Sequence, residues 1–228
     1  MTGTLPVGDP VDAAPARKPD AVRLPGRFGH IEKLNAERHA AGLWDAVRGH
    51  DDIWTYMAYG PFASEAAFAD WLTTRASLED PCAYAIVDNN GHAVGIATLM
   101  EIVPGMRRIE VGHILYSPAL QRTPLGTEAQ YLLAQYAFGT LGYRRYEWKC
   151  NALNAASRRA ALRYGFTFEG ILRQHMIAKG RNRDTAYFSM LAGEWPARKA
   201  QFVHWLAPEN FGPDGRQKTR LAMPGAIS

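Results

Sequence analysis

Cysteine is scarce in this sequence, and its scarcity excludes several kinds of protein. The 228 residues include only Cys82 and Cys150. Two cysteines so far apart form neither the paired spacing of a metal site nor a disulfide framework. Because structural disulfides belong to oxidising compartments, we expect a protein of the reducing cytoplasm that binds no metal.

Long apolar runs and clustered charges are also lacking. No stretch approaches the roughly 20 apolar residues of a membrane-spanning helix, and the first residues do not show a basic start followed by an apolar core. We therefore expect neither a secretory signal nor a membrane partner. Lysine and arginine are scattered and the net charge is only +4. Nucleic-acid-binding proteins gather basic residues on one face, so nucleic acid is not an expected partner.

What is present is an ordinary globular composition with irregular ends. Hydrophobic residues make up 47% of the chain, which is enough for one well-packed domain. Residues 1–25 hold five prolines and predict a flexible N-terminal arm. Residues 26–206 predict one domain that ends in a helix. Residues 207–228 are polar, contain proline and glycine, and predict a C-terminal tail.

Hydrophobic periodicity predicts both helices and strands within this domain. Apolar residues at helical spacing predict helices over 35–48, 53–57, 64–78, 127–138, 154–164 and 194–206. Runs rich in β-branched and aromatic residues predict seven strands, over 28–32, 82–87, 93–102, 108–116, 145–150, 166–178 and 185–191. The segment from Asp88 to Gly91 is typical of a hairpin turn between two of them.

The segment 121–127 lies between a predicted strand and a predicted helix. The first backbone N–H groups of such a helix have no partner within it, and the helix dipole adds positive potential there. The segment is therefore suited to bind an anion such as a pyrophosphate. From the residues alone, an ordinary strand-to-helix turn without a ligand stays the common alternative.

Three motifs follow one another in this part of the chain. They are the loop from Gln121 to Thr127, Asn154-x-x-Ser157, and Gly165-Phe166-x-x-Glu169-Gly170. In this order and spacing, residues from about 26 to 194 resemble the GNAT superfamily of acyl-CoA-dependent N-acyltransferases. In particular, they are similar to the branch that contains the RimJ/RimL-type ribosomal-protein N-terminal acetyltransferases.

The resemblance implies a fold and an activity. The fold is α+β, with a mixed, mostly antiparallel sheet of six to seven strands that is splayed at its centre and flanked by helices on both faces. The activity is transfer of an acyl group, most simply acetyl, from acyl-CoA to a primary amine of a peptide N-terminus or a small molecule by direct attack. Acetyl-CoA, or another acyl-CoA, is then the co-substrate, and a homodimer is common in this branch. Two alternatives stay open: a catalytically silent acyl-CoA-binding regulatory module, and an enzyme that uses a bulkier donor such as succinyl-CoA.

The resemblance also assigns residues to the acyl-CoA. The end of the strand 108–116 would pair with pantetheine, and the loop amides would bind the pyrophosphate. The residues assigned are Ile114, Leu115, Tyr116, Gln121, Arg122, Thr123, Leu125, Gly126, Thr127, Asn154 and Arg159. Pro124 departs from the family pattern, which has glycine there. Proline offers no N–H to a phosphate, although it favours the first turn of a helix.

Two residues match catalytic positions of the family. Glu110 matches the general base of the histone-acetylating members, and partial burial would raise its pKa and suit it to accept a proton. The alternative is a strand glutamate in a salt bridge with Arg107 or Arg145. Ser157 matches the serine that some ribosomal-protein acetyltransferases use to protonate the CoA thiolate. Its alternative is plain helix capping.

The acceptor amine is expected near an aromatic segment and near a late strand. The resemblance places Trp54, Tyr56 and Tyr59 on an acceptor-binding wall, although the residues fit a packed cap on the core as well. His175 is assigned to the acceptor too.

Strand alternation predicts which side chains share a face of the sheet. It places His113 on the face opposite Glu110. It also places His175 opposite Met176, which stands where the ribosomal-protein enzymes have a glutamate. Gly112 within its strand indicates a bulge or a close approach of the backbone.

Overall fold

The computed structural model describes residues 5–223, and its sheet is the framework of the fold. Eight strands lie in the order β1-β2-β3-β4-β5-β6-β8-β7. Their bounds are β1 Arg23–Pro25, β2 Gly29–Lys33, β3 Cys82–Asp88, β4 Ala93–Val103, β5 Arg108–Tyr116, β6 Arg145–Asn151, β7 Thr167–Ala178 and β8 Arg181–Leu191. Neighbouring strands are antiparallel except β5 and β6, which are parallel. The predicted α+β class with a mixed, mostly antiparallel sheet is confirmed.

Helices cover both faces of the sheet, as predicted. They are α1 Ala36–Val47, α2 Glu65–Ser77, α3 Pro124–Gln135, α4 Ala155–Arg163 and α5 Trp195–Leu206. Alternate residues of β3 point to the two faces: Ala83 and Ala85 pack with α1 and α2, whereas Tyr84 and Ile86 belong to the core beneath α3 and α5. The strand is buried on both sides and therefore reads as a continuous apolar run.

The eighth strand is one more than the sequence predicts. β1 pairs with β2, with Leu24 opposite Ile31. Three residues are too few to show an alternating pattern, and Pro25 is tolerated because β1 lies at the edge of the sheet. Residues 23–25 thus belong to the sheet rather than to the arm 1–25, whose flexibility stays a prediction. Residues 1–4 of that arm and residues 224–228 of the predicted tail lie outside the described residues.

The start of α3 differs from the predicted helix 127–138. The helix begins at Pro124, and the Thr123 hydroxyl caps it by accepting a hydrogen bond from the Gly126 N–H at 3.1 Å. Proline at the first position has the right backbone angle and needs no N–H there. The loop between β5 and α3 is therefore shorter than expected. The last turn of the predicted helix is instead a separate π-helical turn, Tyr136–Leu141.

The sheet splits between its two parallel strands. β5 and β6 pair only from Arg108 opposite Arg145 to Val111 opposite Trp148. Beyond this point β5 stays with β4 and β6 stays with β8. The predicted splayed centre is confirmed, and it opens a slot between the end of β5 and the end of β6.

Candidate active site

A cavity of about 620 Å³ lies at the slot. Side chains from one face of the sheet line it, among them Glu110 and Lys149, and so do side chains from the other face, Trp148 and Ser157. Such a volume is typical of a site for a small molecule. The slot therefore connects the cavity to both faces of the sheet.

Glu110 is the buried carboxyl group of this cavity, with 5% of its surface exposed. Its Oε2 lies 2.7 Å from the Lys149 ammonium nitrogen. Burial raises the pKa of Glu110 to about 7, although the Lys149 charge opposes this rise. The alternative of a salt-bridged strand glutamate is confirmed, but the partner is Lys149 on the neighbouring strand β6 and not Arg107 or Arg145. Glu110 therefore changes its charge near neutral pH.

Glu147 lies opposite Glu110 in the parallel register, yet it is ionised more easily. Its carboxylate contacts the Arg145 guanidinium at 2.6 Å, the Lys149 ammonium at 3.1 Å and the Arg108 guanidinium at 3.3 Å. Burial raises the pKa of Glu147, but Arg145 and Lys149 outweigh that effect and hold the pKa below its ordinary value. Glu147 thus supplies a fixed negative charge.

Ser157 presents its hydroxyl to the cavity from the start of α4. Its Oγ accepts a hydrogen bond from the Trp148 indole N–H at 3.0 Å. Its backbone N–H donates to Oδ1 of Asn154, which is the residue that caps the helix. Asn154 therefore performs the capping, and the alternative of plain helix capping by the Ser157 side chain is wrong.

His113 lies against the Tyr59 ring, on the face of the sheet that Glu110 shares, so the prediction from strand alternation is wrong. β5 carries an extra residue there: Ile96 pairs with Leu115 and Thr98 with Gly112. His113 sits in the resulting bulge with a φ of 46°, and a bulge redirects a side chain. Burial, with help from nearby arginines, lowers the pKa of His113 to about 4, so its ring is neutral at pH 7.

The bulge also explains the glycine before His113. A Cβ on Gly112 would lie 2.4 Å from the Met100 sulfur. The indication of a bulge at this glycine is therefore confirmed, whereas the close neighbour is a methionine side chain and not another backbone. It was the one sequence signal that could have revealed the orientation of His113.

A second bulge brings both His175 and Met176 to the face of β8 that carries Arg183 and Thr185, so their predicted opposite orientation is wrong. Leu172 pairs with Thr185 and Met176 with Arg183, which leaves extra residues in β7, and Gln174 has a φ of 49°. Nδ1 of His175 lies 3.0 Å from the Thr185 hydroxyl.

The aromatic segment divides into a wall and a core. Tyr56 and Tyr59 line the cavity, as expected of an acceptor wall. Trp54 does not line it: only 2% of its surface is exposed. Its ring packs against those of Phe62 and Trp71. The expected substrate contact is therefore wrong for Trp54, whose ring completes the packed cap of α1 and α2 instead.

Comparison with known proteins places this geometry in a family. The sequence model of the acetyltransferase (GNAT) domain matches residues 30–167. The chain belongs to the GNAT acetyltransferases. A crystal structure of a GCN5-related N-acetyltransferase from Brucella melitensis is 46% identical, has a TM-score of 0.89, and is matched over 91% of this chain and 96% of that one.

Two further relatives agree with this membership. A crystal structure described as that of a "probable" GNAT-family acetyltransferase from Chromobacterium violaceum ATCC 12472 is 42% identical, with a TM-score of 0.79, over 86% of this chain and 100% of that one. The Bacillus subtilis (strain 168) protein named "Putative ribosomal N-acetyltransferase YdaF" is 27% identical over 150 residues, which are 64% of this chain and 80% of that protein. The resemblance to the RimJ/RimL-like branch of the GNAT superfamily is confirmed.

GNAT domains use acetyl-CoA as co-substrate, and the loop before α3 fits part of that requirement. Thr123, Gly126 and Thr127 use their amides within the loop and helix. Within residues 5–223 the amides of Arg122 and Leu125 have no hydrogen-bond acceptor. These two N–H groups at the helix start are the ones suited to a phosphate.

Several other residues assigned to the GNAT cofactor have structural partners. The hydroxyl of Tyr116 donates to the Gly126 carbonyl at 2.8 Å, and the Gln121 side chain donates to the Tyr116 carbonyl at 3.0 Å. Leu115 and Leu125 are buried in the core, so only their backbones are available to a ligand. Ile114 and Asn154 line the cavity, and Arg159 is exposed on α4.

A Cβ at Gly126 would lie 2.9 Å from the Leu120 carbonyl oxygen and 3.1 Å from the Tyr116 ring. The glycine of the GNAT loop is thus required where α3 packs closely on the end of β5. This requirement holds without any ligand.

Sequence reasoning missed the cations of the GNAT cavity, among them Lys149 and Arg183. Both follow from the register of β6 and β8, in which Arg183, Thr185 and Tyr187 alternate with the core residues Ala186 and Phe188. Across the described part of the chain there is no helix with the length and apolarity to cross a membrane, and no group of three or more side chains placed to hold a metal ion.

Proposed function

We propose that this GNAT protein transfers an acetyl group from acetyl-CoA to the primary amine of a small molecule or a peptide N-terminus by direct attack. One observation carries the proposal: Glu110 and Ser157 open onto a single cavity at the point where β5 and β6 separate. When bound, acetyl-CoA supplies the acyl group as a thioester. Direct transfer needs no enzyme nucleophile, and only a base, donors and a proton for the leaving sulfur are required.

Glu110 is the proposed base. A pKa of about 7 leaves its carboxylate available at neutral pH and still basic enough to take a proton from an amine. The Lys149 ammonium beside it disfavours a second positive charge in the cavity. An acceptor amine placed there therefore loses its proton more readily than it does in water.

Ser157 is the proposed proton donor to the leaving thiolate. Its Oγ is held in place by the Trp148 indole, which donates a hydrogen bond to it. Asn154 holds the backbone of the same turn, so the hydroxyl position is set by two side chains. This preorganisation is what a positioned donor requires.

The test is a turnover assay with binding measured alongside. Thiol release from acetyl-CoA is followed across a panel of amines, amino acids and short peptides, and CoA affinity is measured by calorimetry. We expect steady turnover with one class of acceptor. CoA binding with no thiol release on any acceptor, and with none from succinyl-CoA, would instead favour a silent acyl-CoA-binding module.

A further inference from the structure

Arg183 differs from the other cations of the cavity. Lys149 is paired with Glu110 at 2.7 Å, and Arg108 with Glu147 at 3.3 Å. Arg183 lines the same cavity from β8, but within residues 5–223 no carboxylate forms an ion pair with it. Its Nε is buried and has no hydrogen-bond partner among those residues. Arg183 as a whole is half-buried, so it is the buried Nε donor that lacks an acceptor, and such a donor gains from a ligand that supplies one.

The surroundings of Arg183 are built to face a ligand rather than a protein acid. Asp184, its neighbour, is turned away and binds the Gln174 N–H at 2.7 Å and the Asn182 side chain at 3.0 Å. Nδ1 of His113, which also lines the cavity, is buried without a partner in the described chain. The His113 ring is neutral, so it offers a hydrogen bond without adding charge. Arg75 lies 4.8 Å from the Tyr59 ring centroid and does not line the cavity.

From this arrangement we infer that Arg183 binds a carboxylate group that a substrate carries into the cavity. The guanidinium fork matches a carboxylate in two parallel hydrogen bonds. Glu110 lies on β5 and Arg183 on β8, so β6 stands between the strand of the proposed base and the strand of the anion site. The substrate is then a compound whose negative group binds at Arg183 while its reacting group lies at the slot.

Two substrates could supply this carboxylate. The acceptor could be an amino acid, in which amine and carboxylate belong to one small molecule. The donor could be an acyl-CoA whose acyl chain ends in a carboxylate, as in succinyl-CoA. Both rest on the acyl transfer proposed above, and both place the same chemistry at Arg183.

The experiment compares charged and neutral members of matched pairs. In the acceptor arm, glycine, β-alanine and 4-aminobutyrate are each measured beside their carboxamides with acetyl-CoA. In the donor arm, succinyl-CoA is measured beside butyryl-CoA with one neutral amine. Two quantities are measured for each pair: kcat/KM from thiol release and Kd from calorimetry. For the acceptor pairs, calorimetry uses the CoA-saturated protein.

We expect one arm to prefer the carboxylate by about ten- to a hundredfold, the range for a hydrogen bond to a charged group. Arg183→Gln should abolish this preference and leave the neutral member unchanged. Arg183→Lys keeps the positive charge but lacks the paired donors of the guanidinium group. This variant should therefore retain only part of the preference for the carboxylate. Arg181→Gln is the matched control, because Arg181 is exposed on the same strand, does not line the cavity and should have no effect.

The outcomes separate this inference from the proposed activity. A carboxylate preference in Kd that disappears in Arg183→Gln supports the anion site even if no acceptor is turned over. Turnover with equal preference in wild type and Arg183→Gln, in both arms, overturns the anion site and leaves the acyl transfer standing. A uniform loss of kcat for charged and neutral substrates alike also overturns it, since Arg183 would then serve the reaction itself.

Discussion

Replacing Glu110 with glutamine tests the proposed base through two separate measurements. Glutamine keeps the shape of the side chain but neither accepts a proton nor carries a charge. Proton-transfer groups contribute about 10²–10⁴-fold to rate, so kcat should fall within that range. CoA affinity should change little, because Glu110 is paired with Lys149 and lies on β5 before the slot rather than in the loop before α3.

The pH profile gives the sign of the effect. In the wild type, activity should rise from acid with a midpoint near 7, because the pKa of Glu110 is about 7 and only its carboxylate accepts a proton. In Glu110→Gln this acidic limb should disappear. An unchanged limb in the variant would assign the titration to another group.

Stability supplies a measurement that needs no acceptor. The folded state holds the pKa of Glu110 at about 7 against an ordinary value of 4.5, so the folded protein binds more protons than the unfolded chain between these values. The free energy of unfolding must therefore fall as the pH rises through this window. The full difference corresponds to about 3 kcal/mol, and it should be lost in Glu110→Gln.

The assay is urea unfolding of wild type and variant at a series of pH values from 5 to 8. The quantity of interest is the difference between the two proteins, since other groups titrate in both. Glu79→Gln serves as the control, because Glu79 is exposed and does not line the cavity that holds Glu110. A difference between wild type and Glu110→Gln that stays constant from pH 5 to 8 would refute the raised pKa, and with it the argument for Glu110 as base.

The remaining predictions concern the donor, the loop and the partner of the base. Ser157→Ala should lower kcat by less than Glu110→Gln, because a thiolate is a tolerable leaving group and water replaces the donor; an equal or larger loss would contradict this. Lys149→Met removes the charge that lowers the pKa of Glu110, so the midpoint of the acidic limb of the pH–activity profile should move above pH 7. A midpoint at lower pH than in the wild type would contradict this. CoA should raise the Tm of the wild type, and Gly126→Ala should lower the Tm without CoA, since its Cβ would meet a backbone oxygen at 2.9 Å. Pro124→Gly should strengthen CoA binding by up to about 1 kcal/mol if a missing N–H limits it, and equal or weaker binding by calorimetry would show that the proline contributes more by fixing the helix start.

The fold could be predicted because its signals are local and repeated. Strand β3 contains an apolar run of six residues that is followed by a hairpin turn, and the structure gives Cys82–Asp88 where the sequence predicts 82–87. Helix α4 begins where Asn154 was expected to cap it. In both cases each residue agrees with its neighbours, so one wrong position does not change the assignment.

The orientation of cavity residues could not be predicted in the same way. A single extra residue in β5 moves the His113 side chain to the other face of the sheet. Strict alternation along a strand cannot predict such a residue. The partner of Glu110 depends on the register of β5 against β6, which are separated in sequence by α3. Lys149 therefore becomes visible as a partner only once the strands are paired. Site chemistry is set by such nonlocal pairings, whereas element boundaries are not.

Register also explains why Glu110 rather than Glu147 is the group able to act as a base. The two carboxyl groups lie opposite each other on adjacent strands, and both are buried. Arg108, Arg145 and Lys149 all contact Glu147, whereas Glu110 has an ion pair with Lys149 alone in the described chain. Their pKa values therefore move in opposite directions, above the ordinary value for Glu110 and below it for Glu147. Such a divergence between neighbouring acids is how a protein separates a titrating group from a fixed charge. The fixed charge of Glu147 helps to keep Lys149 protonated, and that ammonium stops the pKa of Glu110 from rising so far that its carboxylate would be lost at neutral pH.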